Sequence, residues 1–147
     1  MVKKTTIEED IGVISAGKRN AVAYAADLET VRINRWRAYR DRNKNLGTLN
    51  TTSQSLDLKQ LDPGWIYIIN NITFIETGSG TPQVFLGFMS EHQHHVLTCQ
   101  TVASAENSVE YVGQVPLFEG EYVRAIAESA GSTDKIYLFA NGYKIRR

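Results

Sequence analysis

Residues 122–140 read YVRAIAESAGSTDKIYLFA, and this stretch decides the fold class. Small or aliphatic residues occupy every second position in both halves of it, and the polar segment GSTD separates the halves. A period of two is typical of β-strands that pack one face on a core, and Gly, Ser and Asp favour tight turns. The alternating apolar positions are Val123, Ala125, Ala127, Ile136, Leu138 and Ala140. We therefore predict two antiparallel strands joined by a turn.

Short runs rich in Ile, Val, Tyr, Phe and Thr recur from Leu56 to the C terminus, and turn residues separate them. The turn signals are DPG at 62–64, TGSGTP at 77–82, EG at 119–120, GSTD at 131–134 and NG at 141–142. The runs predict seven strands, near residues 56–61, 65–76, 83–90, 94–102, 108–116, 122–129 and 135–140. Closely spaced short strands without intervening helices are typical of an antiparallel sandwich or barrel. We expect a mainly β domain over residues 56–147.

The segment of residues 1–47 differs in composition from the rest, and we predict that it is an N-terminal arm. Between residues 20 and 42 it is rich in Ala, Leu and Arg, which favour helices, and some apolar residues recur at helical spacing. These features predict one helix over about 20–42. The alternation over residues 31–39 is also compatible with a strand. The polar, aperiodic residues 48–55 predict a linker or an extended strand laid on a neighbour.

The net charge is zero, but the charges are unevenly distributed. Sixteen basic residues balance sixteen acidic ones, which argues against a general binder of nucleic acid or membrane surfaces, because such proteins need a basic surface. Residues 18–44 carry eight basic residues against three acids, whereas the chain from Asn45 onward carries six against ten. Oppositely charged halves can meet within a subunit or between subunits.

Basic and aromatic residues of the arm form the candidate partner-binding site. A similar mixture occurs on surfaces that bind single-stranded nucleic acid. Arginines that spread around a helix are more consistent with a helix held between acidic protein surfaces, and we favour that interpretation. The candidates are Arg32, Arg35, Trp36, Arg37, Tyr39 and Arg40.

The three histidines lie together in EHQHH at 91–95 and are the candidate metal site. On a strand, His92 and His94 would lie on one face and could bind one metal ion. The His-x-His step also occurs in cupins, but the glutamate and the distant third histidine of a cupin site are missing here. We therefore favour a solvated turn with no metal and no cofactor, and keep a metal-dependent cupin-like enzyme as an alternative. The single cysteine, Cys99, is expected to be a buried small apolar residue.

Targeting and membrane signals are missing from the sequence. The longest apolar runs are far shorter than the roughly 20 residues that span a bilayer. Residues 1–10 combine two lysines with three acids and lack an apolar stretch, so they do not resemble a signal peptide. We expect a soluble protein that is made in the cytoplasm.

Five segments combine tight turns with aromatic strands: LDPGWIYI at 61–68, TFI at 73–75, VFLG at 84–87, LFEGEYVRA at 117–125 and DKIYLFANGY at 134–143. Over roughly residues 56–145 the chain resembles the jelly-roll accessory proteins of tailed-bacteriophage virions. That group includes capsid decoration or cement proteins and head- and neck-attached proteins. In it, a strand that carries Arg-Ala after a glycine turn is followed by a last strand that ends in Gly-Tyr.

The resemblance implies a jelly-roll-like β-sandwich that binds other proteins and is not an enzyme. It implies a homo-oligomer, usually a trimer, that binds major capsid or neck proteins and stabilises the particle, so the expected location is the virion after synthesis in the host cytoplasm. The arm lies outside the resemblance but is suited to reach a partner. The alternative is a carbohydrate- or receptor-binding module, for which Trp65, Tyr111 or Tyr143 would have to be exposed in a groove, with Tyr67 as a further aromatic candidate.

Overall fold

The structure is a computed structural model that describes residues 36–103 and 108–147. These residues form eight strands and no helix, so none of them belongs to a helix that could cross a membrane. The strands are β1 Trp36–Asn45, β2 Ser53–Asp57, β3 Trp65–Thr77, β4 Gln83–Ser90, β5 Gln93–Thr101, β6 Ser108–Leu117, β7 Tyr122–Glu128 and β8 Lys135–Arg146.

The strands form two four-stranded sheets, with the orders β1-β8-β3-β6 and β2-β7-β4-β5. The first strand lies beside the last, the second beside the seventh, the third beside the sixth and the fourth beside the fifth. This is the order of a long hairpin that has been folded over on itself, which is the arrangement of a jelly roll. The prediction of a mainly β chain with two antiparallel sheets is confirmed.

The core lies between the two sheets and is built from every second residue of the central strands. Phe74 on β3 and Leu138 on β8 face Leu86 on β4 and Val123 on β7, and none of these side chains is exposed. Inward side chains from both sheets fill one apolar layer, as expected for a sandwich. Each buried aliphatic or aromatic side chain of this size contributes roughly 1.5–3 kcal/mol through removal from water.

Strand β1 corrects the prediction for the arm. The helix predicted over 20–42 is wrong for residues 36–42, which belong to β1, whereas residues 20–35 lie outside the described part of the chain. The ring of Tyr39 packs edge to face on the ring of Tyr67, with centroids 5.1 Å apart, while Arg40 on the opposite side of the strand is exposed. Packing one face of the segment on the sandwich outweighs the helix propensity of its residues.

The sandwich begins earlier than the predicted residue 56, because β1 and β2 both belong to it. The predicted linker 48–55 overlaps β2, and the connection before β2 is packed on the domain. Leu49 is 3% exposed, and its main-chain N–H donates to the carbonyl oxygen of Ser132 at 3.0 Å. Because the segment is mostly polar, its composition did not reveal that Leu49 is buried.

Gly142 lies inside β8, where the dipeptide Asn141-Gly142 had predicted a turn. The register between β3 and β8 shifts between Ile69 and Asn71, opposite this glycine. A Cβ atom at position 142 would collide with the main-chain oxygen of Ile68. The glycine is therefore required for close approach of two strands at a β-bulge, and the strand continues through it to Arg146.

Two buried carboxyl groups meet at the end of the sandwich where β3 leads into β4 and β7 leads into β8. Glu76 is 0% exposed and Asp134 is 2% exposed. Asp134 accepts a hydrogen bond from the main-chain N–H of Gly131 at 2.7 Å. Both carboxyl oxygens of Glu76 are buried without a hydrogen-bond donor among the described residues, so Glu76 can hydrogen-bond to Asp134 only as the protonated acid. That interaction, together with the main-chain N–H groups of the adjacent turns, lowers the pKa of Asp134. Burial, together with the hydrogen bond to Asp134 and its charge, raises the pKa of Glu76 to about 7.

The carboxyl pair makes the stability of the domain depend on pH. Because the pKa of Glu76 is higher in the folded chain than its ordinary value of 4.5, its contribution is fully present below that value and is lost as pH rises through about 7. We expect Glu76→Gln to remove this loss, since the amide can still donate to Asp134. Above neutral pH the variant should be more stable than the wild type, by up to about 3 kcal/mol. Urea unfolding at several pH values measures the difference.

The matched control is Glu128→Gln, which makes the same chemical change at an exposed position. Its stability should follow the wild-type dependence on pH. If the free energies of unfolding of the wild type and of Glu76→Gln varied with pH in the same way, the raised pKa of Glu76 would be contradicted.

Candidate functional site

The outer side of the sheet β1-β8-β3-β6, which we call the front face, carries apolar clusters on β3 and β8, with the polar residues Asn71, Thr73 and Asn141 between them. The register pairs Ile66 with Ile145, Ile68 with Tyr143 and Ile75 with Tyr137, all on the side opposite the core. The outer side of a solvated antiparallel sheet normally carries polar residues, so large apolar side chains in these positions are unusual. Seven large side chains lie half-buried on it: Ile66, Ile68, Ile75, Tyr137, Phe139, Tyr143 and Ile145.

A row of cations borders the front face on β1. Arg40, Arg42 and Lys44 occupy every second position of the strand, on the side opposite Tyr39, and all three are exposed. Alternate residues of a strand are roughly 6–7 Å apart, so the three charges form a regular line. None of these side chains has a hydrogen bond or ion pair within residues 36–103 and 108–147.

Two open depressions separate the cations from the aromatic residues of β8. One, of about 510 Å³, lies between Arg40 and Arg42 on β1 and Phe139 and Asn141 on β8. The other, of about 400 Å³, lies between Arg42 and Lys44 on one side and Tyr137 and Phe139 on the other. Each depression combines an aromatic wall with a guanidinium or ammonium group. Such a site suits an apolar side chain that is flanked by carboxylates.

An acidic residue, Glu110, lies at the far edge of the front face, on β6. Glu110 accepts a hydrogen bond from the amide of Asn71 at 2.6 Å, and Val112 beside it is 73% exposed. The face is therefore basic at β1, apolar in the middle and weakly acidic at β6.

The turns β4–β5 and β6–β7 form a second surface, which we call the acidic end and define by Glu91, Phe118, Glu119 and Glu121. The three glutamates line a depression of about 410 Å³. Phe118 is 45% exposed, and its main-chain N–H donates to the carboxylate of Glu121 at 2.8 Å. Glu91 and Glu119 are exposed, and neither forms an ion pair with another described residue.

The outer side of the other sheet, which we call the back face, carries a paired charge instead. The guanidinium of Arg124 donates two hydrogen bonds to the carboxylate of Asp57, at 2.6 and 2.7 Å. The hydrogen bonds to Asp57 raise the pKa of Arg124 against the opposing effect of burial. Phe85 and Ile126 pair beside this ion pair, on the same side of the sheet. Arg124 and Asp57 on the back face thus pair with each other. The cations of β1 on the front face pair with no other described residue.

The structure locates part of the candidate partner-binding set. Arg32 and Arg35 lie outside the described residues, and Trp36 begins β1. Arg37 is exposed on β1, and Arg40 belongs to the front face. Tyr39 is turned toward the core instead, where burial raises the pKa of its hydroxyl.

The histidines do not share a strand face. His92 lies in the β4–β5 turn with a φ of 67°, whereas His94 lies on β5. The Nε2 atom of His94 is buried without a hydrogen-bond partner, and burial lowers the pKa of this histidine. Within the described chain no group of three His, Cys, Asp or Glu residues could hold a metal ion.

Two further expectations about side chains need correction. Cys99 is exposed, and the amide of Gln83 donates to its sulfur at 3.2 Å, because Cys99 pairs with Phe85 on the outer side of the sheet. Among the aromatic residues considered for sugar binding, Tyr67 is 2% exposed and belongs to the core. Trp65 is half-buried with the ammonium of Lys144 over its ring, 4.6 Å from the centroid.

The sequence contained a signal for the front face that alternation alone missed. WIYIINNITFI at 65–75 and KIYLFANGYKI at 135–145 have apolar or aromatic residues on both faces of the strand. Near-continuous apolar runs are typical of strands that are covered on both sides. Lys44 was missed because it lies beyond the end of the helix predicted over 20–42.

No protein-family model matches the sequence, and no curated protein matches it. In structure, the chain is similar to a chain in the acidic stable capsid structure of Helicobacter pylori bacteriophage KHP30. The TM-score is 0.53 at 14% identity, over 75% of this chain and 94% of that chain. The chain is also similar to one in the cyanophage Pam1 capsid asymmetric unit, with a TM-score of 0.44 at 20% identity over 76% and 85% of the two chains. The KHP30 match shows a common sandwich fold, and at this identity it shows the fold alone.

The Asp57–Arg124 pair should stabilise the back face measurably. We expect Arg124→Gln to lower the free energy of unfolding by about 1–2 kcal/mol, because it leaves a partly buried carboxylate without its partner. Lys59→Gln is the control, since Lys59 and Asp62 are 74% and 51% exposed and such pairs contribute about 0–1 kcal/mol. Urea unfolding measures both. Equal losses of unfolding free energy in Arg124→Gln and Lys59→Gln would contradict the claim that the Asp57–Arg124 pair is the more stabilising of the two.

Proposed function

We propose that this protein is a non-enzymatic structural component of a virus particle, that it forms homo-oligomers, and that the front face is its protein-binding surface. The observation that carries the proposal is the cluster of large apolar side chains on the front face, bordered by cations that have no partner among the described residues. A sandwich that functioned alone in water would place polar residues there, since apolar surface costs free energy when it is hydrated.

Contact with other proteins would combine two effects on this face. Apolar side chains such as Ile75 and Phe139 would leave water, at roughly 25 cal/mol for each Å² that is buried. Arg40, Arg42 and Lys44 would donate charge-assisted hydrogen bonds to carboxylates, which fixes the orientation of the partner. Neither effect needs a catalytic group.

The fold supports a particle as the assembly. The similar chain from the phage KHP30 capsid structure is covered over 94% of its length, so it consists of little more than this sandwich. A small single-sandwich chain is therefore compatible with residence in a phage capsid. On this basis we place the protein in the virion, made in the host cytoplasm, with major capsid or neck proteins and further copies of itself as partners. A trimer is the expected oligomer, and nucleic acid is not its ligand.

The carbohydrate-binding alternative has weaker support. Its candidate aromatic residues do not form an open platform, because Trp65 is half-buried under Lys144, and both Trp65 and Tyr111 pack against the core. Tyr143 lies half-buried on the front face. Quenching of tryptophan fluorescence by soluble glycans would favour this alternative.

Phe139→Ser tests the front face directly. Because this ring lines both depressions, we expect the variant to lose self-association and to be missing from particles purified on a density gradient. Light scattering should give a mass near that of one 16.5 kDa chain. The matched control is Phe85→Ser, which removes a half-buried ring from the back face and should leave both properties unchanged.

Circular dichroism and thermal unfolding must show that both variants fold. Two folded variants with the same mass and the same incorporation into particles would overturn the assignment of the front face.

A further inference from the structure

We infer that the front face of one copy receives the acidic end of a second copy, with Phe118 in the depressions beside Phe139 and with Glu91 and Glu119 against the cations of β1. The inference rests on the proposed function for the use of the front face as a binding surface. It names the occupant of that surface as another copy of this chain.

The two surfaces are chemically complementary. The front face offers Arg40, Arg42 and Lys44 without partners among the described residues, and the acidic end offers Glu91 and Glu119 without partners there. Both surfaces place an apolar group next to the charges. The front face provides an aromatic depression, and the acidic end provides Phe118, which is 45% exposed. A contact between them would satisfy the charges and the apolar groups of both surfaces at once.

The turn that carries Phe118 is held in one conformation before any partner binds. The carboxylate of Glu121 accepts the main-chain N–H of Phe118 at 2.8 Å, and the main-chain N–H of Glu121 donates to the carbonyl oxygen of Phe118 at 3.1 Å. The N–H of Gly120, whose φ is 83°, donates to the carbonyl oxygen of Leu61 at 3.1 Å. A preformed turn loses little conformational entropy on binding, which favours its use as a docking element.

The contact joins two different surfaces and is therefore heterologous. A pair of copies therefore keeps one free front face and one free acidic end, so further copies close into a ring or extend into a chain. A two-fold pairing of front faces would instead bring two rows of β1 cations into one interface, where each described face offers the single acid Glu110, and would leave the acidic ends unused. Charge complementarity within the chain favours the heterologous arrangement.

Charge reversal tests this contact. Glu91→Lys with Glu119→Lys places cations at the acidic end, and Arg40→Glu with Arg42→Glu places acids on the front face. We expect each double variant to raise the dissociation constant of self-association at least about 100-fold, because like charges then face each other. A chain with all four substitutions restores opposite charges across the contact and should recover self-association to within about tenfold of the wild type. Sedimentation velocity over a concentration series measures these constants.

Glu128→Lys is the control, because it reverses an exposed acid at the other end of β7 and should leave the constant unchanged. Thermal unfolding verifies that every variant folds. A wild-type oligomer that persists in Glu91→Lys/Glu119→Lys would overturn the inference, and so would a folded four-substitution variant that stays monomeric. A wild-type chain that remains monomeric at all concentrations would overturn it as well.

Analysis of purified particles separates this inference from the proposed function. If the wild-type protein were present in particles but the charge-reversed variants formed the same oligomer, the contact between front face and acidic end would be overturned and the proposed function would stand. Wild-type protein that is missing from particles but obeys charge reversal in solution would overturn the proposed function and would support the contact between copies.

Discussion

The pairing of β3 with β8 is the interaction on which the rest of the structure depends. These two strands form the middle of one sheet and are paired from Trp65 with Arg146 to Thr77 with Lys135. Their inward side chains supply much of one half of the core. Their outward side chains supply most of the front face. Since successive residues of a strand point to opposite sides, one register sets both the packing of the domain and the surface that it offers to other proteins.

The same register explains why the two faces of the sandwich differ. On the back face, the ion pair between Asp57 and Arg124 satisfies charge within the subunit. On the front face, the neighbouring strand β1 brings three cations that form no ion pair with residues 36–103 or 108–147. The charge asymmetry of the sequence is therefore real, and the described end of its basic segment, residues 36–44, is a sheet edge. The acids that could balance it lie at the turns β4–β5 and β6–β7, where another copy or another protein can reach them.

Most of the fold was predictable, because six of the eight strands begin within about one residue of the predicted positions and alternate as expected. The first two strands were predictable only as alternatives, because the alternation over residues 31–39 and the extended character of 48–55 were each compatible with a second interpretation. Arginine and alanine favour a helix in β1, and only the packing of Tyr39 on Tyr67, a contact distant in sequence, selects the strand. Gly142 was misinterpreted for a similar reason, since an Asn-Gly pair signals a turn unless a neighbouring strand requires close approach.

The candidate surface was only partly accessible to sequence reasoning. Arg40 was selected for its charge, but the apolar residues around it belong to strands that are far away in sequence.

Photocrosslinking is the most direct test of the claim that the front face is a protein-binding surface. A benzophenone amino acid in place of Phe139 should crosslink to a second protein chain, whereas the same group in place of Phe85 should not. Crosslinks from position 85 alone, or from neither position, would contradict the account.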